Sequence, residues 1–281
     1  MNPLVWLITG SSSGFGAEFV NALIRKGDRV IATARDISKI QHFKEEGATV
    51  LQLDLTSGQE AFNKLATDAI AIYGKVDVLV NNAGYAHFGT VEDDSRDDWI
   101  KQFQTHVFGP IGITRAFLPH FRARKSGTIV FMGSTAAWGG MPTLGAYCAS
   151  KSAIRSVAET LRLELDPLGI KTLLVEPGFF RTDFLKPSNT VYIDTKIEDY
   201  EPVTKTLFTQ FKDAHHQQPG DPAKGVARVI DVITFAGDAA KKPFPVSLAL
   251  GSDAITVMEN KCTKTLELLK EWETVSSNTT H

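Results

Sequence analysis

The chain has 281 residues, 43% of them hydrophobic, and its 30 Lys and Arg against 32 Asp and Glu leave a net charge of −2. That balance excludes a nucleic-acid footprint and a polybasic membrane patch. No apolar run is long enough to span a bilayer, no cationic region precedes the apolar residues 4–8, and the last residues match no lipidation or retrieval signal, so a cytoplasmic protein with no membrane partner is expected.

In chain order, a first strand over 5–9 runs into Thr9-Gly10-Ser11-Ser12-Ser13-Gly14-Phe15-Gly16, and helical periodicity begins at once over 14–26. A glycine-rich turn at a strand–helix junction permits close backbone approach and offers helix amides to a pyrophosphate, which makes Gly10, Ser12, Ser13, Gly14, Phe15 and Gly16 candidate cofactor contacts. The second strand, 29–33, ends at Ala34-Arg35-Asp36. An acid at that tip would hold a free ribose 2′-hydroxyl. Ala34 stands there instead, and the guanidinium of Arg35 suits a 2′-phosphate, so NADP(H) is preferred to NAD(H), with Asp36 close enough to blur the alignment. A helix over 38–45 and a third strand over 49–53 bring Asp54 and Leu55 to the adenine end.

A helix over 59–73 and a strand over 76–81 lead into Asn81-Asn82-Ala83-Gly84, and a long helix over 96–122 carries His106. The strand over 128–133 delivers Ser134, and the next helix, 146–166, carries Tyr147 and Lys151 one turn apart on one face. Lowering a phenol from about 10 to about 7 takes roughly 4 kcal/mol. A unit charge about 4 Å away at an effective dielectric near 20 supplies roughly that much as a ceiling. The ammonium of Lys151 is therefore expected to lower the Tyr147 phenol, with an oxidised nicotinamide as a helpful second cation. Cys148, next along the helix, points to packing, and neither it nor Cys262 has companions at metal-ligand spacing.

A strand over 171–175 precedes Pro177, Gly178 and Thr182. Residues 184–222 then break the rhythm with Pro187, Pro202, Pro219, Pro222 and several aromatics, and read as a substrate-lid insertion or as a small helical pair packed on its own core. His215 and His216 are adjacent, so their side chains are expected to diverge, and no metal is expected. A helix over 223–235, a strand over 245–250 and a last helix over 253–272 follow. The last carries Ile255, Met258, Cys262, Leu266, Leu269 and Trp272 on one face, to pack on its own domain or cover a neighbouring subunit. Seven strands alternating with helices predict a doubly wound seven-stranded parallel sheet, a Rossmann-type α/β fold in one domain, 1–281.

Taken together, Thr9-Gly-x-x-x-Gly-x-Gly16, Asn81 to Gly84, Ser134, Tyr147-x-x-x-Lys151, and Pro177-Gly178 with Thr182 resemble the short-chain dehydrogenase/reductase family over nearly the whole chain. The glycine loop, Arg35 and the segment from Pro177 to Thr182 look like its NADP-linked, hydroxysteroid-dehydrogenase-like members. The resemblance implies that Asn82, Ala83 and Gly84 close the adenine-side pocket, Pro177 and Gly178 line the nicotinamide face, and Thr182 bonds the carboxamide. Ser134 would polarise the substrate oxygen, Tyr147 pass the proton, and Lys151 tune Tyr147 and grip the nicotinamide ribose. A homodimer or homotetramer built on the Tyr147 helix is implied as well.

One departure stands out, because His106 replaces the asparagine that in the family braces a water for proton relay. Histidine can hold water and titrates near neutrality, so His106 is a fourth candidate catalytic residue: either an imperfect substitute that makes the rate pH-sensitive, or a packed histidine in an intact but sluggish enzyme. Around Tyr147 the candidate pocket residues are mostly apolar: Tyr85, His87, Phe88, Trp138, Met141, Leu144, Phe179, Phe180 and Phe184. The leading expectation is hydride transfer between NADP(H) and a hydrophobic ketone or secondary alcohol. Its rivals are a nicotinamide-binding isomerase or dehydratase using the same tyrosine, and a non-enzymatic dinucleotide sensor.

Overall fold

The computed structural model describes residues 3–186 and 189–279; Pro187, Thr280 and His281 lie outside the described residues. From the amino end, β1 (Val5–Ile8), α1 (Gly14–Lys26), β2 (Arg29–Ala34), α2 (His42–Glu45), β3 (Thr49–Gln52), α3 (Gln59–Tyr73) and β4 (Val78–Asn81) make the first half. β5 (Ala86–Phe88), α4 (Arg96–Phe103), α5 (Gly109–Arg124), β6 (Gly127–Met132), α6 (Gly145–Leu165) and β7 (Ile170–Pro177) follow. The chain closes with β8 (Thr190–Tyr192), α7 (Glu201–Asp213), α8 (Pro222–Thr234), β9 (Ser247–Leu250) and α9 (Ser252–Ser276).

Seven strands form one parallel sheet in the order β3-β2-β1-β4-β6-β7-β9. Chain direction across the sheet reverses between β1 and β4, which opens a crevice at the carboxyl ends of those strands. Both faces of the sheet are covered, so β1 reads as an unbroken apolar run instead of an alternating one. Trp6 and Ile8 enter the layer with Phe19 and Leu23 of α1 and Val226, Val229 and Ile233 of α8. Val5 and Leu7 enter the layer with Phe62 of α3, Ile113, Phe117 and Phe121 of α5, and Ile154 of α6. No described helix is long and apolar enough to cross a membrane.

Four expectations are revised. The helix expected over 38–45 is a 3-10 turn, Ile37–Ile40, followed by the single turn of α2. The long helix expected over 96–122 is broken by a π-helical turn, Gln104–Phe108, between α4 and α5. Pro110 explains the break, since it has no N–H to give the carbonyl of His106. Residues 184–222 contribute β8, which pairs in parallel with β5, another strand absent from the sequence reading, and α7. Phe88 stacks on Tyr192 at 5.0 Å, and together with Phe208 and Leu185 they build a third core that also contains Tyr147. Finally, α9 does not pack on its own domain along its length: Ala254 is its one buried residue, and Leu266, Leu269 and Trp272 stand in solvent.

Candidate active site

The crevice begins at the glycine loop. Gly10 adopts φ +69°, and a Cβ on Gly16 would lie 2.2 Å from the Gly10 carbonyl, so the loop closes tightly onto the first turn of α1. Ser13 at the N-cap makes no capping hydrogen bond, which leaves the first amides of α1 free for an anion. Ser12 is exposed beside it, whereas the Phe15 ring is packed on Phe180 at 5.0 Å. The loop is braced from behind. Asn82 donates through Nδ2 to the carbonyls of Thr9 and Gly10 at 2.9 and 3.1 Å, and the amides of Asn82 and Ala83 donate to the Thr9 hydroxyl. This cradle fits a dinucleotide pyrophosphate.

At the tip of β2, Ala34 is buried and Arg35 is exposed. The carboxylate of Asp36 accepts from the amide and hydroxyl of Ser38 at 3.0 and 2.6 Å, and these bonds hold its pKa below the usual range. Its ambiguity in the sequence is thereby reduced, because that carboxylate caps the following 3-10 turn. Asp54 closes a turn onto Thr56, and the Leu55 side chain is core.

Tyr147 sits in the first turn of α6, 9% exposed, with its phenol near enough to the Ser134 hydroxyl for that group to act on its pKa. Ser134 ends the strand run of β6 and caps the 3-10 turn Thr135–Trp138, accepting from the Ala136 amide at 3.1 Å. Lys151, one turn further along α6, places Nζ 5.7 Å from the Tyr147 ring centroid and donates to the Met132 carbonyl at 2.8 Å. Burial pushes the phenol up to about 12, against the lowering effect of the Ser134 hydroxyl, and pushes the ammonium down to about 8. The expected lowering of Tyr147 is therefore overturned for the chain by itself. Burial dominates at the phenol, and Lys151 is itself desolvated.

His106 is packed instead of solvated. It is buried in the π-helical turn, its Nε2 accepts from the Tyr85 amide at 3.1 Å, and its Nδ1 lies 3.0 Å from the Ser150 hydroxyl. Because an amide N–H can only donate, Nε2 is bare and Nδ1 carries the proton. Ser150 in turn donates to the Tyr147 carbonyl at 2.8 Å, and the Gln102 amide nitrogen lies 3.0 and 3.1 Å from the two ring nitrogens. Burial first, and the Lys151 charge second, hold the imidazole well below its ordinary value. His106 is thus a neutral strut between the Asn81–Gly84 turn and α6. Both nitrogens are engaged by protein, so neither the water-holding nor the pH-sensing role stands. Gly84 permits the strut, since a Cβ there would lie 2.9 Å from His106 Nε2.

On the far side, Pro177 ends β7, and the amide of Phe179, next to Gly178, donates to Asp253 of α9 at 2.6 Å. Thr182 caps the 3-10 turn Asp183–Leu185 and lies against Gly14, where a glycine Cβ would approach its own Cβ to 3.3 Å. Among the pocket candidates, His87 pairs with buried Asp94 at 2.9 Å, and Phe88, Leu144 and Phe180 are core. The Trp138 indole donates to Glu176 at 2.8 Å and faces the Arg155 guanidinium. Phe184 meets the Tyr147 ring edge-on at 5.8 Å, while Met141 and Phe179 are exposed. His215 and His216 do not diverge: their ring centroids are 4.1 Å apart, because His216 takes φ +60° and folds the chain back.

Gln102, Ser150 and Asp253 escaped the sequence reading, which had Thr9 only as the start of the glycine loop. Gln102 stands four residues before His106 and Ser150 three after Tyr147, so helical spacing held a signal for both. Asp253 had none, for it meets Phe179 across 74 residues.

Residues 4–192 match the family model described as short chain dehydrogenase. The chain is 34% identical over 234 residues to the uncharacterized oxidoreductase YusZ of Bacillus subtilis, which spans 79% of this chain and 81% of that one. It is also 34% identical over 204 residues to the 3-ketodihydrosphingosine reductase of Bacteroides thetaiotaomicron, across 71% and 72% of the two chains. Among solved structures, a short-chain dehydrogenase from Streptomyces avermitilis matches with a TM-score of 0.87 at 36% identity, covering 99% of each chain. Serine dehydrogenase complexed with NADP+ matches with a TM-score of 0.72 at 27% identity, over 87% of this chain and 93% of that one. Members of the same fold are solved with NAD as well.

Proposed function

The chain belongs to the short-chain dehydrogenase family, and from that premise we propose that it reduces a hydrophobic ketone to the secondary alcohol with NADPH. One observation carries the reading: a buried phenol beside the Ser134 hydroxyl, with the Lys151 ammonium 5.7 Å from its ring, next to the glycine-loop crevice. When bound, the nicotinamide supplies the hydride. Gly10, Ser12, Ser13, Gly14 and Gly16 would hold the pyrophosphate, with Asn82 and Ala83 behind them. Pro177, Gly178 and Thr182 would meet the nicotinamide end, and Asp54 with the Leu55 backbone the adenine.

Ser134 donates to the substrate oxygen, and Tyr147 gives that oxygen its phenolic proton as negative charge builds there. A phenol held at about 12 is fully protonated at neutral pH, which suits a proton donor better than a base. The phenolate left behind is stabilised by the Lys151 ammonium. Because His106 has no free proton to move, it gives no support to the isomerase or dehydratase reading, and the intact Ser134, Tyr147 and Lys151 argue against a sensor.

Arg35 is free of ion pairs among the described residues and Asp36 is occupied, which supports NADP(H) over NAD(H). Phe184, Met141 and Phe179 give the approach an apolar character, in keeping with a relative named as a 3-ketodihydrosphingosine reductase. Residues 184–222 act in this reading as the lid over the substrate, and the apolar stripe of α9 offers surface for assembly into a dimer or tetramer. Reduced-nicotinamide absorbance followed against a panel of ketones, with NADPH and NADH in parallel, tests the proposal. Absence of oxidation with every apolar ketone would overturn it.

A further inference from the structure

We propose that Asp183, His215 and His216 form a divalent-cation site of the zinc class that clasps the end of α7 to the segment following β7. One ligating atom from each of the three lies within 4.8 Å of the other two. His216 Nε2 is 3.0 Å from Asp183 Oδ1, and the two imidazole rings stand at 78° with centroids 4.1 Å apart. Ligands at about 2.0–2.1 Å from zinc in a tetrahedron lie roughly 3.3 Å from one another, so small side-chain rotations bring the three into a coordination sphere.

The arrangement is built by the backbone. On a continuing helix, adjacent side chains point about 100° apart. Here α7 stops at Asp213, and the left-handed φ of +60° at His216 turns its ring back beside that of His215. Few residues other than glycine adopt that conformation, histidine being among the more tolerant. A second sign of an unmet partner is His215 Nδ1, which is shielded from solvent and has no hydrogen bond; two residues beyond the pair, the same is true of Gln218 Oε1.

Two imidazoles and one carboxylate are the donor set of a borderline cation, not of calcium or magnesium. His216 and Asp183 keep 58% and 36% of their side-chain surface exposed, which gives the ion an entry path and a water as its fourth ligand. The position has consequences. Asp183 lies between Thr182, which abuts the glycine loop, and Phe184, which packs on Tyr147, so a cation there ties the insertion to both. That effect on substrate capture rests on the lid reading above, whereas the site itself does not.

The test uses chelator-stripped full-length protein dialysed against zinc alone, with bound metal measured by elemental analysis and no cofactor or substrate present. One zinc per chain is expected in the parent. Retention should fall at least tenfold in H215Q/H216Q and in D183N, with unchanged far-ultraviolet circular dichroism, and cobalt(II) should give the visible bands of a nitrogen–oxygen site in the parent only. Zinc should also slow proteolysis within 184–222 in the parent and not in the double variant. Equal zinc content in parent and H215Q/H216Q would overturn the clasp. Zinc binding without ketone reduction would sink the enzymatic reading alone, and ketone reduction without zinc bound through these three residues would sink the clasp alone.

Discussion

The glycine-loop end of the crevice and its tyrosine end are built by opposite means. At the loop, backbone does the work: eight consecutive residues, a positive φ at Gly10 and the uncapped first turn of α1 make the cradle. At the tyrosine, side chains converge from the turn after β4, the π-helical turn, α6 and the turn after β6, and each is positioned by burial. A contiguous device tolerates change almost everywhere except where an atom has no room. A convergent one fails wherever a strut is removed.

The largest effect that distinguishes the two ends is expected from Tyr147→Phe. Loss of the proton donor should lower kcat by about 10²- to 10⁴-fold while the cofactor dissociation constant, read by fluorescence quenching, stays within about twofold. Unchanged turnover would erase the distinction. At the other end, Gly16→Ala puts a Cβ against the Gly10 carbonyl, and overpacking of about 1–3 kcal/mol predicts cofactor binding weakened roughly 5- to 150-fold, with kcat at saturation largely kept. Arg35→Ala should weaken NADPH by about ten- to a hundredfold, the worth of one charge-assisted bond, and leave NADH untouched in the same titration.

A smaller effect is expected at the strut. His106→Ala leaves the Tyr85 amide and the Ser150 hydroxyl without partners, a cost of about 1–3 kcal/mol in denaturant unfolding. His106→Asn should recover part of that stability, and neither variant should change the shape of the pH profile near neutrality, since burial holds the parent imidazole well below its ordinary value. A profile that moves would return His106 to a titrating role. The mildest signature is alkaline: with Lys151 held at about 8, kcat/KM should fall as pH rises through that value and the ammonium is lost. Stability runs the other way. The unfolded chain keeps this proton up to its ordinary 10.5, so the contribution of Lys151 to stability rises between about 8 and 10.5, and Lys151→Met should flatten that limb of a thermal-unfolding series.

The same contrast decides what was legible beforehand. All seven strands of the main sheet and the bounds of α1 and α3 follow from local pattern, since a strand buried on both faces and a helix with one apolar stripe declare themselves within a dozen residues. The glycine loop, Ser134, Tyr147 and Lys151 stand on stretches of that kind. Burial does not. The phenol at about 12 and the neutral His106 depend on what four separate elements exclude, and no spacing rule reports that. β5 and β8 were missed because each is three residues long and pairs across about a hundred positions. The divergence expected of His215 and His216 assumed ordinary backbone, and a single left-handed residue reversed it.

The bond between Asp253 and the Phe179 amide has a mechanical corollary. From that foot, α9 runs for 25 residues, a rod of roughly 37 Å at the usual rise, with almost nothing gripping its sides. Force applied near Trp272, by a fused partner or an antibody fragment, has a stiff shaft leading to the peptide beside Gly178. Reagents that seize the outer end of this rod would therefore be handles on the turn after β7, acting from a place no ligand of the crevice would touch.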